Sequence, residues 1–203
     1  MQNDLNTETA DIIFNAIAHR RSMGLSRLSP APVDRALIEK MLEAANWGQS
    51  NEDTEPWRFT VFSGDGRTAL ANLFNAAHLE EHGEEPSADL QEGHRKRAYA
   101  APVWISIGMT PALQDDGSMV TDQDEEIMAV ATAVQNLHLM ASALGLAGMW
   151  HSKGLSVNPI VARGLGLTPP SRLLGFFMCG WPSTEWLSGE RKPIADKIKW
   201  VES

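Results

Sequence analysis

The stretch Asp122–Leu144 constrains this chain more than any other. It is rich in Ala and Met and opens with Asp122, Asp124, Glu125 and Glu126. Those acids suit the positive end of a helix. Gly145 then stops it. A helix apolar on all sides needs cover on all sides. This one is expected at a domain centre or a subunit interface, with the rest of the chain built around it.

The flanking sequence supplies both helices and strands. Ile12, Ile13, Ala16 and Ile17 recur at helical spacing over Thr9–His19. Asp34 can cap a helix carrying Leu37, Ile38, Met41, Leu42 and Ala45. Trp57–Phe62 is aromatic and β-branched and ends in Ser63-Gly64-Asp65-Gly66, which predicts a strand and a turn. Arg67–His78 and Leu90–Tyr99 are predicted helices, and Val103–Met109 and Arg172–Cys179 predicted strands. Ala147–Trp150 is a short strand candidate, and Asn158-Pro159 predicts a helix start. Strands mixed with helices, without regular βαβ spacing, predict an α+β fold. No repeat or linker divides the 203 residues, so one domain over 1–203 is expected, with 1–8 as a flexible N-terminal extension.

Composition excludes several classes. A net charge of −9 argues against a nucleic-acid partner. Twelve of the 26 acids lie in Glu80–Glu92 and Asp115–Glu126, which contain no Lys or Arg; the remaining 14 face 17 bases. The body is therefore mildly basic, and the acidic segments are expected to be solvated loops and helix starts. Cys179, the single cysteine, excludes an internal disulfide and fits a reducing compartment. No apolar run nears the roughly 20 residues of a membrane helix, and Met1–Asp11 is polar, so a cytoplasmic protein is expected.

No motif of a serine hydrolase, zinc protease, P-loop or Rossmann site is present, and the six His show no metal-ligand spacing. His138, inside the long helix, is expected to serve packing. What stands out is short and basic. Arg20-Arg21-Ser22 follows the first helix, and guanidinium groups match phosphate oxygens. An Arg pair capping a helix end is the plain alternative. Ser50-Asn51 lies in a polar loop running into Pro56-Trp57. Gly145–Ser152 is a small-residue loop that a flat ring could approach. Each segment could equally be an ordinary connection. Gly180-Trp181-Pro182 and Arg191-Lys192-Pro193 close the chain.

The order of these segments resembles the FMN-dependent nitroreductase family, from about Ile13 to Trp200. The matching features are Arg20-Arg21-Ser22 after helix one, Ala44-Ala45 and the loop from Ser50 to Trp57. They continue with the Ala-rich helix closing on Leu144-Gly145-Leu146, Gly180–Pro182, Arg191–Pro193 and the terminal Trp200. The chain is most similar to a compact bacterial subgroup of NAD(P)H nitroreductases. The resemblance implies a mixed sheet flanked by helices, in a homodimer whose C-terminal tails are exchanged. It implies bound FMN, NADH or NADPH as co-substrate, and a small electron acceptor such as a nitroaromatic, quinone or enone. Family members work by double displacement: NAD(P)H gives hydride to the flavin, then the acceptor takes electrons from the same open face. A flavin-binding carrier or sensor without efficient turnover is the alternative.

By resemblance, Arg20, Arg21, Ser22, Arg191 and Lys192 would hold phosphate. Ser50 and Asn51 would contact flavin, one of them on the partner subunit. Trp150, His151 and Ser152 would line the ring. No side chain is assigned as catalytic and no metal is expected. Met140–Gly145 corresponds to nicotinamide contacts. The chain departs from the family at Gln49, Asp53 and Glu55, where Pro, Asn and Gln are usual. Gly24 stands where a second base is usual, with Arg27 as a possible substitute, and His151 where Arg is frequent. These changes are expected to weaken FMN binding or lower its potential, and a protonated His151 could compensate at low pH.

Overall fold

The computed structural model describes residues 7–202. Among these residues six α-helices and four strands follow one another: α1 (Thr7–His19), α2 (Arg35–Asn46), β1 (Trp57–Ser63), α3 (Arg67–His82), α4 (Ala88–Tyr99), β2 (Val103–Met109), α5 (Gln123–Ala143), β3 (Ala147–His151), α6 (Pro159–Gly164) and β4 (Arg172–Gly180). Of the expected extension over 1–8, residues 1–6 lie outside the described residues, and Thr7 and Glu8 belong to α1.

The strands form one sheet in the order β1-β2-β4-β3. All three pairings are antiparallel. A mixed sheet is expected from the resemblance; the parallel component found is a single bridge, Ser22 to Gly148, on the outer edge of β3. Both central strands are buried on both faces. Alternation along a strand sends successive side chains to opposite sides. Ile105, Ile107 and Phe177 meet α2 and α5 on one face. Trp104, Phe176 and Met178 meet α3, α4 and α6 on the other, among Leu70, Phe74 and Val161. The result is a sheet between two helical layers, an α+β fold.

α5 is buried along one side by α2, the sheet and the chain segment after α2, while its other side is open, with Met128 59% exposed. It buries Ala129, Val130, Ala133, Val134, Leu137, His138 and Ala141. That segment runs back along α5: the Asn136 amide donates to the Trp47 carbonyl at 3.1 Å. Gly48 follows, where a Cβ would stand 3.0 Å from the Ala133 backbone. The Gln49 N–H then donates to the Thr132 hydroxyl at 3.1 Å.

The acidic segments are partly solvated, as expected. Glu80 pairs with Arg163 and Glu92 with Arg95, both exposed, so neither contributes much to stability. α3 extends through Glu80 and Glu81, which the sequence places in a loop; Gly83 ends it at φ 75°. Glu126 departs from expectation, being 1% exposed. It accepts from the Thr54 hydroxyl at 2.7 Å and the Ala112 N–H at 3.4 Å. Those bonds replace water and pin two loops to the start of α5.

α1 is the opposite case. It buries no residue, and Ile12, Ile13, Phe14 and Ile17 are all exposed.

Candidate functional site

Arg20 leaves the C-terminus of α1 beside the edge of the sheet. The Met23 N–H donates to the Gly148 carbonyl at 2.9 Å, so Arg20–Met23 is strapped to β3. The Arg20 guanidinium lies 3.5 Å from the Ser22 hydroxyl and 3.4 Å from Nδ1 of His138. Burial, then the charges of Arg191 and Arg21, press the Arg20 guanidinium below its ordinary pKa. Three cations thus act on one spot. Such a concentration of positive charge is stabilised by an anion.

The two adjacent arginines differ in task. Arg21 donates to the carbonyls of Ala18 at 2.6 Å and Arg20 at 2.7 Å. It closes the end of α1, where free carbonyls await donors. Its Nε is buried without a hydrogen-bond partner. The tail lies against it: a Cβ on Gly189 would collide with the Arg21 guanidinium. Arg21 therefore matches the helix-capping alternative, and Arg20 is the residue turned toward Ser22.

The tail brings Arg191 to this region. Trp186 anchors it, donating its indole N–H to the His19 carbonyl at 2.7 Å. Arg191 is exposed, and one of its donors goes to the Glu190 carbonyl at 2.9 Å. Lys192 gives its carbonyl to Lys197. Arg27 donates to the Thr184 hydroxyl at 3.3 Å.

Ser50 and Asn51 sit elsewhere. Asn51 donates to Glu125 at 3.0 Å, and the Ser50 hydroxyl accepts from the Glu55 N–H at 3.3 Å. Gln49, Ser50, Asn51, Glu125, Met128, Ala129 and Thr132 line one shallow pocket. Glu125 and His138 are thirteen residues apart on α5, about 20 Å at 1.5 Å per residue. Within one chain the loop and Arg20 occupy opposite ends of that helix.

The β3 segment is committed to the sheet more than to a pocket. Trp150 donates its indole N–H to the Leu174 carbonyl at 3.0 Å. His151 Nδ1 lies 3.0 Å from the Ser156 hydroxyl. Burial, with Arg97 and Lys153, lowers the His151 pKa, which opposes the suggestion that it acts protonated. Ser152 is exposed at the strand's end.

His138 is the residue that sequence reasoning assigned only to packing. Its Nε2 lies 3.1 Å from the Arg21 carbonyl and therefore donates. Nδ1 is then the lone pair facing Arg20. Burial and the Arg20 charge push its pKa down to about 4. The only signal was an ionisable side chain past the acidic first turn of α5. Cys179 is buried, and burial raises its thiol to about 12, which removes it as a nucleophile. Among the described residues no His, Cys, Asp or Glu cluster could hold a metal. No helix among them is long and apolar enough to cross a membrane.

Solved structures share this fold. A nitroreductase-like family protein from Bacillus cereus superposes with a TM-score of 0.77 at 27% identity, covering 94% of this chain and 96% of that one. The FMN-dependent nitroreductase NfnB from Mycobacterium smegmatis, solved in complex with NADPH, gives 0.69 at 19% identity, covering 96% and 100%. Among curated proteins, the one named Putative NAD(P)H nitroreductase YfhC, from Bacillus subtilis, is 26% identical over 92% of this chain and 93% of its own. The pattern of the nitroreductase family matches residues 17–181. The chain belongs to the nitroreductase family.

Proposed function

We propose that the protein is an FMN-dependent oxidoreductase that moves hydride from NADH or NADPH to a small electron acceptor. The observation that carries this is the gathering of Arg20, Arg191 and Arg21 at the edge of β3, with Ser22 beside Arg20. These residues suit a phosphate: a guanidinium and a hydroxyl side by side, with no carboxylate among the charges that perturb Arg20. Relatives support the same reading, since YfhC is named as an NAD(P)H nitroreductase and NfnB is FMN-dependent.

Arg20 and Ser22 would hold the FMN phosphate, and Arg191 would close over it from the tail. When bound, FMN supplies the hydride-accepting and hydride-donating ring, and the protein supplies orientation and electrostatics. The β3 end from Trp150 to Ser152 would offer its backbone to the ring, because both ring-bearing side chains are already engaged. The acceptor is a nitroaromatic, quinone, enone or related small compound. The protein acts in the cytoplasm.

A second copy of the chain completes the site in this reading. Ser50 and Asn51 lie at the far end of α5 from Arg20 and would serve the partner's cofactor. α1 has no interior in its own chain, and Trp47, Ile12, Ile13 and Ile17 flank an apolar groove with Leu139, Met140 and Ala143. Ile194, Trp200 and Val201 of the tail are 65%, 78% and 85% exposed. Burial of such patches drives association. Exchange of tails across a homodimer would cover them.

The test is an absorbance spectrum of the purified protein with FMN, before and after anaerobic NADH or NADPH, followed by addition of a nitroaromatic. Bleaching by the nucleotide and recovery with the acceptor is expected. A spectrum unchanged by either nucleotide would leave a carrier or sensor. Failure to bind FMN at all would overturn the reading.

A further inference from the structure

We propose that His138 is the positioning residue of the phosphate anchor: its neutral ring holds the Arg20 guanidinium in place without cancelling its charge. This rests on the proposal that Arg20 binds the FMN phosphate.

Two hydrogen bonds orient the ring, and the Gly148 backbone also faces it. Nε2–H donates to the Arg21 carbonyl at 3.1 Å, which fixes the ring to the backbone between the two arginines. Nδ1 is thereby left as an acceptor, 3.4 Å from Nη1 of Arg20. Phe177 meets the ring edge-on, with centroids 4.9 Å apart, and closes the other side. The imidazole is 6% exposed, so it cannot swing away.

The choice of a neutral acceptor matters. A carboxylate at this position would orient Arg20 equally well, but it would pair with the guanidinium and compete with an incoming phosphate. An apolar residue would leave the guanidinium half-buried and free to rotate, and ordering it would then cost binding entropy. Imidazole avoids both. It uses one N–H of Arg20 and leaves the full positive charge and the remaining donors for the ligand.

The experiment compares wild type with His138→Asn, His138→Asp and His138→Leu. Each purified protein is titrated with FMN and with riboflavin, which lacks the phosphate, and its thermal unfolding is recorded. Wild type should prefer FMN. His138→Asn, a neutral acceptor near the Nδ1 position, should keep that preference within about threefold. His138→Asp and His138→Leu should lower it by about tenfold or more, the scale of one hydrogen bond to a charged group, with riboflavin affinity little changed. A purely structural role for His138 would weaken both ligands together and leave the ratio intact. That result, or an unchanged ratio in His138→Asp, overturns the proposal. If His138→Leu fails to fold, the Asn and Asp variants, nearly equal in size, decide the matter. Wild type that binds neither flavin overturns the FMN reading itself, a result distinct from a constant ratio.

Discussion

Trp186 lies flat on His19, with ring centroids 5.1 Å apart and planes 3° from parallel. The same indole donates to the His19 carbonyl. This contact joins the start of the tail to the last residue of α1, one position before Arg20. It explains how an exposed residue such as Arg191 acts on a half-buried one. Trp186→Ala should cost about 2 kcal/mol, combining the stacked pair and the hydrogen bond. It should also weaken FMN binding several-fold by releasing Arg191. Urea unfolding and FMN titration measure the two effects, and Trp186→Phe should recover part of each.

The adjacent arginines should separate under mutation. Arg20→Ala should reduce FMN affinity by roughly a hundredfold, as expected for a charge-assisted phosphate contact, with little change in stability. Arg21→Ala should instead destabilise by about 1–2 kcal/mol, because two carbonyls at the end of α1 lose their donor. Comparing affinity with unfolding free energy in both variants checks the division. Full flavin occupancy in Arg20→Ala would remove it as anchor.

Stability should fall on acidification. His138 has a folded pKa of about 4 against an ordinary 6.5. Between those values the unfolded chain binds the proton and the native one does not. Stability is therefore full above pH 6.5 and declines as pH drops toward 4, by about 3 kcal/mol at most. His94 and His151 are also lowered, by burial first, and act in the same direction. Unfolding curves from pH 7 to 4 should show this slope, and His138→Asn should flatten it without abolishing it.

The loop after α2 stores strain. Glu52, Asp53 and Glu55 have φ of 51°, 50° and 41°, in the left-handed region that non-glycine residues avoid. Glu52→Gly should stabilise by on the order of 1 kcal/mol, a gain visible as a higher urea midpoint. Asp53→Asn tolerates the same backbone and removes a charge. It should raise FMN affinity a few-fold if the carboxylate opposes an anionic cofactor; equal affinity would rule out the charge explanation.

Most elements were legible because periodicity is local. The apolar spacing in α2 and α5, the β-branched run of β1 and the Asn158-Pro159 start of α6 each announce their own structure; Asn158 does accept from the Ile160 N–H at 2.8 Å. Asp34, by contrast, holds the cap position of α2 without a side-chain cap bond. Arg20 and Arg21 were visible together but not distinguishable. Their difference lies in what each reaches: Arg21 folds back onto the Ala18 and Arg20 carbonyls, and Arg20 turns to Ser22 and His138. The burial of Glu126 and the hydrogen bonds of His138, which is buried as expected, were not legible for a shared reason. Each is a polar residue whose partners, Thr54 and Arg20, lie 72 and 118 positions away. No pattern within a helix encodes a partner that distant.

The strap between Met23 and Gly148 gives the sheet a second role. Because Arg20 hangs from the edge of β3, its coordinates are inherited from the register of β3 against β4, in which Gly148 faces Cys179. A slip of one residue there would displace the anchor by about 3.4 Å, enough to break its hydrogen bonds to Ser22 and His138. Gly148 guards against such a slip: any Cβ would stand 2.5 Å from Phe177 and 2.7 Å from the Met178 carbonyl. The sheet is thus the ruler against which the position of the charge is set, and its precision comes from a residue with no side chain.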